Sequence, residues 1–298
     1  MAWAGAGPAV TDFSIVEYYT MNDYRKDGFA IFKKTLSALL GLIMIFIFIP
    51  SCKFQEKEHI LDYTFGSGKH LPEYVTMAGK TYPVRHYSIT AIKLRIVYNK
   101  FGDHDPDGMM YVLTENKDKV LRMAKENPAT PSDLIEPLVI RANAGDILVV
   151  DFYNELSSPA SIHIAGVETN VQKSDGAVVG YNKNTTTKKH IQYVWYAKNE
   201  GTYLFHDLSD ARSSEQAKNI HGLFGVLVVE KPGSTWTDPR TGKPLKSGCH
   251  ADIHHPMESD FREFVTIFHD EPAIKDINGN PPVNHATHQP ESTMPINY

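Results

Sequence analysis

Apolar residues along the central two thirds of the chain fall in short, β-branched runs. Ile89–Tyr98 (ITAIKLRIVY) alternates roughly between apolar and polar positions. Pro137–Ala142, Ile147–Tyr153, Ala160–Ile164, His190–Tyr196, Thr202–His206 and Leu223–Glu230 are further runs rich in Val, Ile, Tyr and Phe. Gly, Pro, Asn and Asp sit between them, and short strands with turn residues at this spacing predict an all-β sandwich. One helix is predicted over Asn116–Glu126 (NKDKVLRMAKE), closed by Asn127-Pro128. The Pro/Gly-rich stretch PGSTWTDPRTGKPLKSG predicts a connector over 233–261. A further strand, Arg262–His269 (REFVTIFH), follows it. The turn-rich remainder cannot supply the roughly seven strands of a second sandwich. Either this strand folds back on the first domain, or residues 262–298 begin a second, incomplete one.

The N-terminal pattern is different. Arg25, Lys26, Lys33 and Lys34 precede Leu36–Ile49 (LSALLGLIMIFIFI), 14 residues without a charge. A spanning helix needs about 20 apolar residues, so the run is short for a span and suits the apolar region of an export signal. Positive charge before it favours keeping the N-terminus inside and sending the rest out. Ile49-Pro50-Ser51-Cys52 has the form of a lipoprotein cleavage site. A membrane anchor over 1–53 is therefore expected, as a lipid anchor or an uncleaved helix, with an extracytoplasmic location at the periplasm or cell surface. A polar tether is expected over 54–83, with Gly66-Ser67-Gly68 in its middle. The sandwich itself is expected over 84–232.

Composition narrows the chemistry. A chain of 298 residues, 42% hydrophobic and 22% charged, can bury a core. Its 30 Lys and Arg against 35 Asp and Glu give a net charge of −5, which excludes nucleic acid as the main partner. Two cysteines, Cys52 and Cys249, exclude a disulfide framework and any four-cysteine metal site. Fourteen histidines bring metal chemistry forward.

Three stretches resemble the first cupredoxin domain of the multicopper oxidases, the ceruloplasmin-like branch most of all. Ile140-Arg141-Ala142-Asn143-Ala144-Gly145-Asp146 leads into Ile147–Leu156. Ser161-Ile162-His163-Ile164-Ala165-Gly166-Val167 is similar to that family's His-x-His strand. Glu200-Gly201-Thr202-Tyr203-Leu204-Phe205-His206, with Gly222–Val229, is similar to the block that closes the domain, and Arg262–Glu271 resembles the opening strand of the second domain. The resemblance implies a Greek-key, cupredoxin-like (plastocyanin-like) fold, copper as cofactor, and oxidation of a small reductant, a metal ion or a phenol, by dioxygen.

Residues i and i+2 of a strand share a face, so His-x-His presents two imidazoles together, and imidazole suits copper. The family builds a three-copper centre from four such pairs. Here His163 and His206 keep the first positions, while Ala165 and Leu208 occupy the second and bring no donor. A complete centre on that pattern is excluded within this domain, so catalysis needs further cupredoxin domains from another chain or from sequence beyond this one. His221, at the mouth of the last sandwich strand, is the candidate third nitrogen of a mononuclear site with His163 and His206. The alternative is that these are ordinary polar residues at strand ends.

A weaker candidate is Cys249-His250-Ala251-Asp252-Ile253-His254-His255-Pro256-Met257, whose Cys249, His250, His254 and Met257 are the residue types of a blue-copper site. Gly248 stands where the family's motif has histidine, and the run falls in the connector, so a metal-sticky exposed loop is the competing reading. Asp103, Asp105 and Asp107 before Gly108 read as a solvated turn rather than a calcium loop. His269, His285 and His288 read as surface histidines. The expectation is a membrane-tethered copper-binding oxidoreductase of multicopper oxidase type, possibly partial. The alternative is a non-catalytic copper-binding or structural subunit that packs against a partner cupredoxin domain or a second copy of itself.

Overall fold

The computed structural model describes residues 60–298 apart from 64, 67–70, 129–131, 133, 178–188, 210–216, 271, 285 and 289–293. The expected anchor over 1–53 lies outside the described residues. Among the described residues no helix is long and apolar enough to cross a membrane.

Strands dominate, numbered here in chain order. One sheet runs β1 (Tyr74–Met77), β2 (Lys80–Lys93), β7 (Ile147–Asn154), β10 (His190–Tyr196) and β9 (Glu168–Thr169), with β5 (Met109–Leu113) also paired to β2. The second runs β6 (Leu138–Asn143), β12 (Phe224–Glu230), β11 (Gly201–His206) and β8 (His163–Ile164). Two short strands, β3 (Ile96–Val97) and β4 (His104–Asp105), form a ribbon. Among the described residues the α-helices are α1 (Lys117–Glu126) and the one-turn α2 (Val171–Ser174).

Alternation explains the stacking. On β7, Leu148, Val150 and Phe152 point to one side; on β6 and β12, Leu138, Ile140, Leu227 and Val229 meet them, together with Trp195 and Phe205. One continuous core therefore lies between the two sheets, and the all-β sandwich expected from the periodicity is present. Such a core tolerates no large deletion: truncating a buried Phe costs about 3–5 kcal/mol.

The outer faces are covered too. Ile147 and Val149, on the far side of β7, pack under Ile60, Leu61, Phe65 and Val75. Ile60, Leu61, Phe65 and Val75 of the stretch expected as a polar tether thus lie against the sheet, and the stretch contributes β1. On the other side, β13 (Thr235–Thr237), β14 (His250–His254) and β15 (Phe261–Phe264) form a three-stranded sheet within and after the expected connector. Cys249, Val265 and Ile267 pack with Val139, Val226 and Val228 on the outer face of the second sheet. The last predicted strand therefore folds back on the first domain, and it is shorter than the expected Arg262–His269.

Two polar clusters fasten these layers. On β7, Asp151 accepts from His86 Nε2 at 2.6 Å, His190 Nε2 at 2.8 Å and Gln192 at 3.1 Å, so one carboxylate ties three strands. Burial alone would raise its pKa; the three hydrogen bonds outweigh burial and bring it to about 2. Under the C-terminal sheet, Arg141 is 0% exposed. Its Nη1 donates to Glu263 Oε1 at 2.6 Å and stands 3.7 Å from Glu230 Oε1. Burial and the Glu263 carboxylate push Glu230 up to about 7.

The two carboxylates give opposite acid dependences. Asp151 titrates below its unfolded value of about 3.9, so its contribution is present above that pH and is lost as pH falls towards 2. Asp151→Ala, which strands three donors, is expected to cost roughly 2 kcal/mol at pH 7 and to flatten stability below pH 4, read by urea unfolding. Glu230 titrates above its unfolded value of about 4.3, so the folded state holds the extra proton and stability falls as pH rises from there through about 7. Glu230→Gln is expected to melt higher than the parent at pH 8 and to match it near pH 5. Parallel melting curves across that window would refute proton uptake by Glu230 on folding.

Candidate metal centre

β8 and β11 pair antiparallel with His163 directly opposite His206 and Ile164 opposite Phe205. Facing residues in such a pair project to one side, with Cβ atoms about 5 Å apart. Ile164 and Phe205 turn into the core, so both imidazoles emerge on the outer face, their ring centroids 5.7 Å apart and their planes at 76°.

Each ring is held through the same nitrogen. His163 Nδ1 meets Asp175 Oδ1 at 2.5 Å and the Asp175 carbonyl at 3.2 Å. His206 Nδ1 meets the Asp207 carbonyl at 3.1 Å. These partners only accept, so each Nδ1 donates, and in the neutral ring Nε2 is the atom that carries the lone pair. A carboxylate or carbonyl behind the imidazole is also how metal-binding histidines are oriented. Burial lowers the His206 pKa; the Asp207 carbonyl offsets part of that, and the neighbouring His163 adds to it.

Asp175 reaches His163 because the chain turns tightly after α2. Gly176 has φ +73°, and a Cβ there would lie 2.1 Å from the Ile162 carbonyl oxygen. Only glycine permits that approach. Asp207 fixes the other side of the pair. Its buried carboxylate accepts from the Ser161 amide at 2.8 Å and Ser209 Oγ at 2.9 Å, with Lys218 Nζ at 3.4 Å.

The other expected ligands do not join the pair. Ala165 is exposed and Leu208 half-buried. His221 turns towards β4, where its Nδ1 meets Asp105 Oδ2 at 2.7 Å. Asp103 and Asp105 are buried, not solvated, because they anchor Asn99 and His221, while Asp107 pairs with Lys93.

The middle of the Cys249 run, His250–His254, is strand and not loop, and strand parity separates its members. Cys249 is buried with Ala251 and Ile253, whereas His250 and His254 face outward. His250 lies edge-on to Phe264, His254 is bonded to Asp260 and Thr237, and Met257 is 86% exposed. Among the described residues no group of three or more His, Cys, Asp or Glu side chains is placed to hold a metal ion. What the fold brings together is a facing pair of imidazoles, His163 and His206.

His269, expected at the surface, is buried at 6% exposure, packed edge-on to Phe224 with ring centroids 4.9 Å apart. Burial lowers its pKa to about 4. His288 is exposed as expected, and His285 lies outside the described residues. Asp175, Asp207 and Lys218 escaped the sequence reading. Asp207 alone carried a signal, a charged residue between two positions that face the other way.

A family model described as multicopper oxidase matches residues 123–234, which contain His163, His206 and His221. The resemblance read from the sequence is thereby shown for that segment, and copper is the cofactor the family implies. No curated protein sequence matches the chain. Among solved structures, a multi-copper oxidase from Pseudomonas thermotolerans is 21% identical, with 50% of this chain and 30% of that one covered and a TM-score of 0.38. Copper nitrite reductase from Nitrosomonas europaea is 13% identical over 50% and 42%, TM-score 0.35. Blue copper oxidase from the same organism is 17% identical over 53% and 41%, TM-score 0.35. The chain spans less than half the length of each of these three.

Gly176→Ala adds a methyl group where the Ile162 carbonyl already stands and forces alanine to a positive φ. The expected loss is about 2 kcal/mol or more, seen as a lower urea midpoint, with the His163 ring resonances shifted as Asp175 withdraws. An unchanged midpoint would show that this turn does not hold Asp175 in place.

Proposed function

We propose that this chain is a copper-binding oxidoreductase unit of multicopper oxidase type, contributing His163 and His206 to a centre that further cupredoxin domains complete. One observation carries the reading: two facing imidazoles, each anchored at Nδ1, offer two Nε2 atoms on one face. Nitrogen donors of this kind fit copper in number and type for half a site.

Bound copper would supply one-electron redox chemistry between a small reductant and dioxygen. The protein's own part is positional. Asp175 and the Asp207 carbonyl fix the ring tautomers, Asp207 locks β8 to β11, and Phe205 and Ile164 wall the pair off from the core side. The charged-then-apolar leader supports an extracytoplasmic protein attached to a membrane, in which the cupredoxin-like Greek-key domain meets a partner domain or a second copy.

A second reading, a non-catalytic copper-binding subunit, is favoured by Ala165 and Leu208 at the missing ligand positions and by Cys249 turned away from His250 and His254.

Loading the full chain with Cu(I) or Cu(II) is expected to give about one copper per chain, because both ligands of the half-site must act together. His163→Ala and His206→Ala are each expected to lose most of it, while His250→Ala retains it. Copper that persists in the His163→Ala, His206→Ala double variant would sink the assignment. Oxygen uptake with a phenol separates the two readings: uptake by the copper-loaded chain alone or on adding a partner cupredoxin domain supports the oxidoreductase, and none in either case supports the subunit.

A further inference from the structure

A cavity of about 410 Å³ opens between the segment leading into β6, the loop after β13 and the end of the β14–β15 pair that carries His250 and Phe264. Glu136 stands in its wall among Leu134, Leu245 and Phe264. We propose that it binds a small aliphatic amine, with the ammonium group on Glu136 and the hydrocarbon body against those three apolar side chains.

Three observations specify that ligand. First, Glu136 is a partly buried carboxylate with little to hold its charge. Its Oε1 accepts the Cys249 amide at 3.4 Å, a long bond, with the thiol of the same residue beside it; His250 and Arg240 act on it only from a distance. Burial raises its pKa, and those contacts offset only part of the rise. An ammonium group in the cavity supplies the short, charge-assisted bond that the protein does not. Second, the surrounding charge favours a cation over an anion. Arg262 is held by Asp252 through two bonds, of 2.7 and 3.0 Å, and Arg240 is exposed at the rim. Glu136 and Asp238 both line the cavity, so carboxylates outnumber the remaining guanidinium. Asp238 Oδ1 is engaged by the turn amides of Arg240 and Thr241, which leaves Glu136 as the anchor. Third, the volume falls within the roughly 300–1,000 Å³ of small-molecule sites, too large for a bare ammonium ion, and the apolar walls reward a hydrocarbon body. Among the described residues the acids, His250 and Cys249 of this cavity form no group placed to hold a metal ion.

Neither His163 nor His206 lines this cavity. The test therefore uses the metal-free full chain in chelator, at about pH 8, where an alkylamine stays protonated. Isopentylamine, isopentanol and isovalerate share one carbon skeleton and differ in the head group. Each is titrated by calorimetry while the Cys249 amide is followed by NMR in protein with selectively labelled cysteine. The amine is expected to bind about tenfold more tightly than the alcohol, the worth of one charge-assisted hydrogen bond, and the acid to bind more weakly than either. Only the amine is expected to move the Cys249 amide strongly, because Glu136 accepts from it. Glu136→Gln keeps the shape and the acceptor but loses the charge, and is expected to bind the amine about tenfold more weakly. Should that variant fail to fold, Phe264→Arg at the exposed wall serves instead: it removes an apolar contact, adds a like charge and is expected to weaken the amine by a similar factor. Absence of amine binding, equal affinity for amine and alcohol, an unmoved Cys249 amide, or amine binding unchanged in Glu136→Gln or Phe264→Arg would overturn the proposal.

Discussion

The buried carboxylate of Asp207 accepts the amide of Ser161, two residues before His163, while lying next in sequence to His206. One anion therefore sets the register of the two strands that carry the imidazoles. Its own charge is balanced by Lys218, with the Ser209 hydroxyl bonded to both. Neither member of this pair has an alternative partner in water, since both side chains are almost wholly enclosed. An enclosed ion pair adds little net stability over an apolar substitute, but removing one member leaves an uncompensated charge. Its value here is geometric. Strands as short as β8 are weakly specified by their own hydrogen bonds, and the polar knot behind them supplies the register that pairing alone does not.

The sandwich was legible because its strands alternate. Ile147–Tyr153 and Leu223–Glu230 carry their inward and outward residues in the order that stacking demands, and both became strands almost as bounded. What escaped was the covering of the outer faces. Ile60, Leu61, Phe65 and Val75 are scattered through a polar stretch with no period, so nothing marks them as a cap for Ile147 and Val149. β14 was hidden for the opposite reason: its outward-facing positions are two histidines and an aspartate, which drew a metal-site reading, while Ala251 and Ile253 between them keep strict strand parity.

The site divides in the same way. His163 and His206 were visible through motif resemblance, and the fold places them face to face. Asp175 was not, because it arrives through a turn that only the backbone freedom of Gly176 permits, and a turn has no periodic signature. His221 looked like a third donor from its place in the sequence, yet Asp105, more than a hundred residues earlier, claims it. Proximity along the chain says where a side chain starts and not what it meets.

Cys249 bears on the chemistry this chain can undergo in the presence of oxidants. Enclosure in the outer core, with the Glu136 carboxylate close by, pushes its thiol far above the ordinary range. The thiolate is the species that peroxides, alkylating agents and other sulfurs attack. Sulfenic acid formation and mixed-disulfide exchange at Cys249 are therefore suppressed for as long as the three-stranded sheet stays seated. The thiol becomes a chemical reporter of that seating: modification of Cys249 registers opening of the C-terminal layer, in oxidising and reducing surroundings alike.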